Sequence, residues 1–87
     1  MGRVMLEVVL YPESSDALED VKSALESKLA EVAEIAGISE RPIAFGMSAV
    51  VAKLIVDESL GTEPVERALG EISKLSSFSI ERVTRVL

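Results

Sequence analysis

Three sets of carboxylates are the residues of this chain whose type and spacing could do acid–base or metal chemistry. Glu19–Asp20 and Asp57–Glu58 are adjacent, and Glu63 and Glu66 stand three residues apart. Such sets can bind a divalent cation or act as acid and base. Each also suits a solvated helix flank, a loop or a helix N-terminus, where negative charge is favoured. We therefore interpret all three as surface and expect neither a catalytic residue nor a metal site.

The rest of the composition also argues against an enzyme. The sequence contains no histidine and no cysteine, so the commonest general base, the commonest zinc ligand and all thiolate chemistry are excluded. The glycines stand apart and form no phosphate-binding loop, so we expect no cofactor. A binding protein is the better prediction.

The segment Arg41–Met47 suggests a different kind of site, because it lies between two apolar runs and carries a bulky ring. Phe45 is one of two phenylalanines in 87 residues, and it directly precedes Gly46, the expected turn residue with positive φ. An apolar ring left in water forgoes about 1.5–3 kcal/mol relative to burial. Either the protein's own core or a partner is therefore expected to cover Phe45.

Charge and length restrict the partner and the compartment. Fifteen acidic and nine basic side chains give a net charge of −6, which is unsuited to binding a nucleic-acid backbone. Glu7 interrupts the apolar N-terminus, and no apolar run approaches the length of a membrane helix. We expect a cytoplasmic protein with a protein partner and no direct contact with nucleic acid or membrane.

The apolar periodicity predicts four strands and two helices. Alternating apolar residues predict the strands, with Pro42 placing the second at a sheet edge and a bulge near Glu81–Arg82 in the last. Apolar residues at helical spacing predict the two helices. The first begins with an Asp16–Glu19 capping box and is followed by Gly37. The second has Thr62 as its N-cap and Pro64 in its first turn. The predicted strands are 4–11, 39–45, 49–56 and 78–86; the helices run from Asp16 to Ala36 and from Thr62 to Leu75.

This order of elements predicts the fold. Two right-handed strand–helix–strand units give a ferredoxin-like βαββαβ α+β sandwich, with a four-stranded antiparallel sheet and both helices on one face. Residues 1–87 are expected to form one such domain. The predicted core residues are Leu6, Val8, Leu18, Val21, Leu25, Leu54, Val56, Leu69 and Ile72.

The face of the sheet away from the helices is predicted to be apolar as well. Met5, Val9, Tyr11, Val51 and Ile55 alternate with the core residues and should cluster there. Contiguous apolar surface usually marks an interface. A surface that binds another protein, a homodimer contact and a merely apolar sheet remain open as explanations.

The chain resembles the elongation factor 1-beta family of guanine nucleotide exchange factors, and its archaeal members most. The resemblance covers essentially the whole chain and is strongest in Pro42–Met47, in the apolar strand that follows to Asp57, and in Gly61–Glu66. It implies a ferredoxin-like domain that exchanges GDP for GTP on elongation factor 1-alpha during translation. Such a factor needs no covalent chemistry, because it trades binding energy against nucleotide affinity.

The resemblance also implies where the partner binds. In the family, an aromatic residue followed by glycine presses into the GTPase, and Phe45-Gly46 matches it, flanked by Ala44 and Met47. A basic residue near the C-terminus, Lys in eukaryotic members, reaches toward the GTPase's Mg²⁺ site. Arg85 matches this basic residue. Val86 and Leu87 follow it, so that Leu87 extends this end by one residue relative to the family. We expect these residues to bind the partner and the protein to be a monomer; the alternative is a small ferredoxin-like ligand-binding or oligomerisation module.

Overall fold

The computed structural model describes residues 2–86, and within this range the chain forms four strands and two α-helices. The strands are β1 (Arg3–Pro12), β2 (Glu34–Pro42), β3 (Ser48–Asp57) and β4 (Leu75–Val86), and the helices are α1 (Leu18–Leu29) and α2 (Glu63–Gly70). Single 3₁₀ turns at Ser15–Ala17 and Glu58–Leu60 precede the two helices. The predicted ferredoxin-like α+β fold is confirmed.

The four strands form one antiparallel sheet in the order β2-β3-β1-β4. β1 pairs with β3 and β4, so that Leu6 lies opposite both Leu54 and Val83. β2 and β4 are the edges. Pro42, whose missing N–H group predicted an edge position, lies in the edge strand β2 as its last residue.

The core lies between the helices and one face of the sheet. Leu6, Val8 and Leu54 are fully buried there against Val21 and Leu25 of α1. The predicted core residues all belong to this cluster, and all are buried except Leu18, which is half-buried. The alternation of apolar residues along β1 and β3 therefore predicted the inward face correctly.

Both boundaries predicted for the first helix are wrong. Ala17, whose methyl group cannot cap, stands at the N-cap of α1, because the Ser15–Ala17 turn takes the place of the expected capping box. The helix ends at Leu29, whose carbonyl accepts from Val32 and Ala33, and β2 begins at Glu34. The second strand is therefore 34–42, where 39–45 was predicted.

The spacing of apolar residues explains the error at the end of α1. Val32 and Ile35 fit a helical repeat, but Ile35 and Ile38 instead pack on the core from β2, opposite Leu54 and Ala52. Ala36 is an extra residue in the ladder, and Gly37 lies within β2 opposite Lys53. The segment that begins at Glu34 therefore pairs with β3 as a strand, although its apolar residues are spaced as in a helix.

The second helix is shorter than predicted, and the last strand is longer. α2 ends at Gly70, Ile72 is buried just beyond it, and β4 already begins at Leu75. Lys74 has a φ of +63°, which reverses the chain between the two elements without a glycine to signal it. Thr62 is the N-cap, but its hydroxyl donates to Glu66 Oε1 at 3.1 Å.

The predicted bulge in the last strand is confirmed. Val8 pairs with Ile80 and Glu7 with Arg82, which leaves Glu81 as the extra residue of β4. The shift keeps Ile80 on the core side and restores the pairing toward the C-terminus.

The face of the sheet away from the helices carries a small second apolar cluster. Val9, Ala49 and Val51 are buried in it, and Tyr11 packs against them. The guanidinium of Arg41 on β2 lies 3.4 Å from the carboxylate of Glu81 on β4. Because these strands are the two edges, the ion pair crosses this face. Val9, Tyr11 and Val51 were predicted to cluster here and do so, whereas Met5 and Ile55, predicted with them, are half-buried and lie outside this cluster. The protein's own side chains cover Val9 and Val51, so the centre of the predicted apolar patch is not exposed.

Among the described residues, neither helix has the length and apolarity of a membrane-spanning segment.

Candidate partner-binding site

The hairpin end of the molecule, defined as Ile43–Met47, connects β2 to β3 by a tight turn. Met47 N–H donates to Ala44 O at 3.0 Å, and Ile43 N–H donates to Met47 O at 2.9 Å. Phe45 and Gly46 both have positive φ, +57° and +75°. Two successive left-handed residues inside such a hydrogen bond define a type I′ turn. The turn therefore places Phe45 at the extreme tip of the hairpin.

Phe45 is not covered by any part of the described chain. Its relative exposure is 101%, and Ile43 beside it is 46% exposed. The explanation that the ring folds back onto the protein's own core is therefore wrong. The left-handed conformation adds a cost, because a non-glycine residue rarely adopts it. An uncovered phenylalanine in an unfavourable conformation is a strong candidate for a binding residue.

The terminal end of the molecule, defined as Gly2, Arg3, Asp57–Ser59, Arg85 and Val86, surrounds an open cleft. Arg85 pairs with Val4 in the ladder, and its Nη2 donates to Oε1 of Glu58. Val86 is half-buried and pairs with Arg3. Leu87, the last of the predicted site residues, lies outside the described residues.

The fold does not bring the two predicted sets of site residues together. Phe45 precedes the start of β3, whereas Val4, the partner of Arg85, pairs with Val56 near its end. The ten residues of β3 span about 33 Å at the usual rise per residue. A partner that contacts both Phe45 and Arg85 must therefore reach along the whole sheet.

Asp57 and Glu58 have different roles in the terminal end, although the sequence suggested only solvated carboxylates. Asp57 Oδ1 accepts hydrogen bonds from the Ser59 N–H at 2.9 Å and the Ser59 hydroxyl at 2.8 Å. These two bonds, the backbone one first, hold the pKa of Asp57 below its usual value. The Asp57-x-Ser59 spacing signals such a turn. The Glu58–Arg85 pair joins residues too distant in sequence to be found in this way.

The charged side chains of the described residues are surface groups. No set of three or more acidic side chains within residues 2–86 lies close enough to hold a metal ion. The carboxylate of Glu40 raises the pKa of Lys22, and that of Asp20 raises the pKa of Lys74, in each case through a hydrogen bond at the surface.

Comparisons with known proteins identify the family. The family described as "EF-1 guanine nucleotide exchange domain" matches residues 3–86. The chain is 36% identical to "Elongation factor 1-beta" of Haloarcula marismortui, with 99% of this chain and 100% of that protein covered. It is 37% identical to the protein of that name in Methanosarcina barkeri, with the same coverage, and 35% identical to that in Methanothermobacter thermautotrophicus, with both chains fully covered.

A solved structure supports the fold alone. The uncharacterized protein TM1266 from Thermotoga maritima superposes with a TM-score of 0.53 at 20% identity, covering 99% of this chain and 96% of that one. The family match spans both ends of the sheet, from Arg3 to Val86. The chain therefore belongs to the EF-1 guanine nucleotide exchange domain family.

Proposed function

We propose that this protein promotes release of GDP from elongation factor 1-alpha, and thereby its reloading with GTP, by contacting the GTPase at the hairpin end and the terminal end. Family membership supports the reaction class and the partner. The contacts are our proposal. The observation that carries it is Phe45, fully exposed at the tip of a type I′ turn.

Phe45 supplies apolar binding energy in this proposal. The ring is uncovered in the free protein, so the full benefit of its burial becomes available when the GTPase encloses it. If the pocket that receives the ring is better formed in the nucleotide-free GTPase, binding shifts the GTPase toward that state. Exchange then requires a difference in affinity between two states and no reacting side chain.

Arg85 supplies charge at the opposite end. Its side chain is 66% exposed and lies beside the open cleft, where a partner can reach it. A guanidinium can donate two parallel hydrogen bonds to a carboxylate or phosphate group. Placed near the bound Mg²⁺ and nucleotide phosphates, it would compete for the ligands of the ion and weaken nucleotide binding. We expect the protein to act as a monomer in the cytoplasm, without contacting nucleic acid.

The test measures release of a fluorescent GDP derivative from the cognate elongation factor 1-alpha. Substoichiometric wild-type protein should accelerate release, and Phe45→Ala should remove most of the acceleration. Val83→Ala is the matched control, because Val83 is an exposed apolar residue on the edge strand β4, outside both ends, and this variant should behave as wild type.

Two results would contradict the proposal at different levels. If wild-type protein leaves GDP release unchanged, the exchange function fails and the alternative, a ligand-binding or oligomerisation module, gains support. If wild type is active and Phe45→Ala is equally active at equal stability, exchange stands and the assignment of Phe45 is wrong.

A further inference from the structure

We propose that Glu58 is a positioning residue for Arg85: its carboxylate holds the guanidinium in the direction in which the terminal end meets the GTPase. The inference rests on the proposed function, in which Arg85 contacts the partner. It assigns a role to a residue that itself need not touch the GTPase.

The backbone of Glu58 is fixed from both sides. Its N–H donates to Gly2 O at 2.9 Å, which ties the 3₁₀ turn to the start of β1. Asp57 caps the same turn through its two hydrogen bonds with Ser59. Gly61, with a φ of +68°, leads the chain out of the turn. The carboxylate of Glu58 therefore projects from a defined place.

The other member of the ion pair also starts from a fixed backbone. Arg85 pairs with Val4 in the β1–β4 ladder. The long side chain of arginine has many rotamers, and ordering it costs conformational entropy. Because both backbones are fixed, the contact with Glu58 selects among those rotamers in the free protein.

The ion pair leaves Arg85 able to bind a partner. One guanidinium nitrogen, Nη2, donates to one carboxylate oxygen, Oε1. A guanidinium has five N–H donors, so most of them stay available. The Arg85 side chain is 66% exposed, against 38% for Glu58. The carboxylate is thus the less exposed member of the pair and contacts the guanidinium without enclosing it.

Gly2 leaves the space that the Glu58 carboxylate occupies. A Cβ atom at position 2 would lie 2.5 Å from Oε2 of Glu58, too close for the two atoms to coexist. The atom that would have to move is the end of a flexible side chain. Gly2→Ala should therefore displace the carboxylate from Arg85 with little effect on folding.

The expected effect on exchange follows from pre-organisation. A group that is already oriented loses less entropy when the partner binds, so its contact is more effective. Glu58→Ala should lower the stimulation of GDP release about three- to tenfold at a fixed, subsaturating concentration. Glu58→Gln should recover part of this loss, because its amide oxygen can still accept from Arg85. Gly2→Ala should give a smaller loss.

A double-mutant cycle distinguishes positioning from a general structural role. Exchange is measured for wild type, Glu58→Ala, Arg85→Ala and the double variant, with the free energy of unfolding of each. If Glu58 acts through Arg85, Glu58→Ala has no further effect once Arg85 is absent. Asp20→Ala is the matched control: it removes the carboxylate of another surface ion pair, 2.7 Å from Lys74, in the other half of the molecule, and should leave exchange unchanged.

A second measurement needs no GTPase. Nitrogen-15 relaxation of the Arg85 Nε in the free protein reports how well the guanidinium is ordered. Glu58→Ala and Gly2→Ala should both increase its mobility, and Asp20→Ala should not.

Each contrary result has a distinct meaning. Unchanged Arg85 mobility in Glu58→Ala overturns the proposal, whatever the exchange assay shows. Unchanged or faster exchange in Glu58→Ala also overturns it. So does an equal loss of exchange activity when Glu58→Ala is introduced into the wild type and into Arg85→Ala, because this would indicate a structural role. If the wild-type protein does not accelerate GDP release, the proposed function is wrong. If the wild type is active and Arg85→Ala is fully active too, the exchange function stands. In that case the role of the terminal end is wrong, and so is the positioning role of Glu58.

Discussion

The two ends of the sheet hold their candidate contacts in opposite ways. At the hairpin end, backbone geometry alone presents Phe45: two left-handed residues close a type I′ turn, and the ring touches nothing else. At the terminal end, Arg85 is oriented by a carboxylate from a different element. The difference follows from the side chains. A rigid ring with few rotamers needs only a fixed backbone, whereas a long charged side chain needs a second group to define its direction.

The largest expected effect comes from the strand that connects both ends. Leu54 in β3 is fully buried between Leu6 and Ile35. Leu54→Ala should lower the free energy of unfolding by about 2–5 kcal/mol, measured by denaturant titration, because it removes buried contacts and leaves a cavity. A loss below about 1 kcal/mol would mean that Leu54 does not lie in a close-packed core.

At the hairpin end, stability and exchange should change in opposite directions. Phe45→Asn keeps the turn and suits it better, since asparagine accepts positive φ and Asn-Gly is a preferred type I′ sequence. The free energy of unfolding should rise by about 0.5–1 kcal/mol, because the strained residue is replaced. Stimulation of GDP release should fall about tenfold or more, as expected when a central aromatic contact is lost.

Phe45→Tyr is the control for this trade-off. It retains the ring and the unfavourable φ, so stability should stay near that of wild type and most of the exchange activity should remain. If Phe45→Asn lowers stability, the turn is not of type I′ in solution.

At the terminal end, substitution of Arg85 should reduce the stimulation of GDP release in a Mg²⁺-dependent way and should leave the free energy of unfolding nearly unchanged. Arg85→Ala removes an exposed ion pair, which is worth no more than about 1 kcal/mol. GDP release should be stimulated less than by wild type when Mg²⁺ is present, and the two proteins should become more alike when the ion is chelated. A deficit of equal size with and without Mg²⁺ would mean that Arg85 does not act on the ion site.

The smallest expected effect is on the pH dependence of folding. The Ser59 hydrogen bonds lower the pKa of Asp57 from the ordinary 3.8, so its stabilising contribution is present above that value and is lost as pH falls through the folded-state pKa. The Asp20 hydrogen bond raises the pKa of Lys74 from 10.5, so its contribution is present below that value and is lost as pH rises through the folded-state pKa.

Unfolding titrations of single variants measure both contributions. The difference in stability between wild type and Asp57→Ala should shrink at acid pH, and that between wild type and Lys74→Ala at alkaline pH. Both groups are exposed, so the changes should be small. A difference that grows in either direction would contradict the assigned hydrogen bonds.

The sequence predicted those parts of the molecule that depend on local periodicity. Alternation along β1 and β3 located the core, and the change of phase before Val83 located the bulge at Glu81. The end of α1 was wrong because Val32 and Ile35 fit a helical repeat. Ile35 and Ile38 reach the core from β2 only because Ala36 is an extra residue in the ladder with β3, which the sequence does not reveal.

The residues of the candidate site follow from the resemblance to the family, whereas their geometry does not. The resemblance pointed to Phe45 and Arg85, but spacing alone could not tell whether the ring folds inward, because this depends on the φ of Phe45 itself. The role of Glu58 depends on a contact between the turn after β3 and the end of β4, which only the tertiary fold creates.

The two edges of the sheet have a consequence for how this protein behaves when concentrated. An open strand edge can template the addition of further strands and lead to polymers. Here β2 ends in Pro42, which has no N–H to offer, and β4 is interrupted by the bulge at Glu81, which carries a charge. Each edge is therefore a poor template for a continuous ladder with another copy. In the proposed function the hairpin tip and the terminal cleft stay open to the GTPase, and such interrupted edges oppose the addition of another copy along the sides of the sheet.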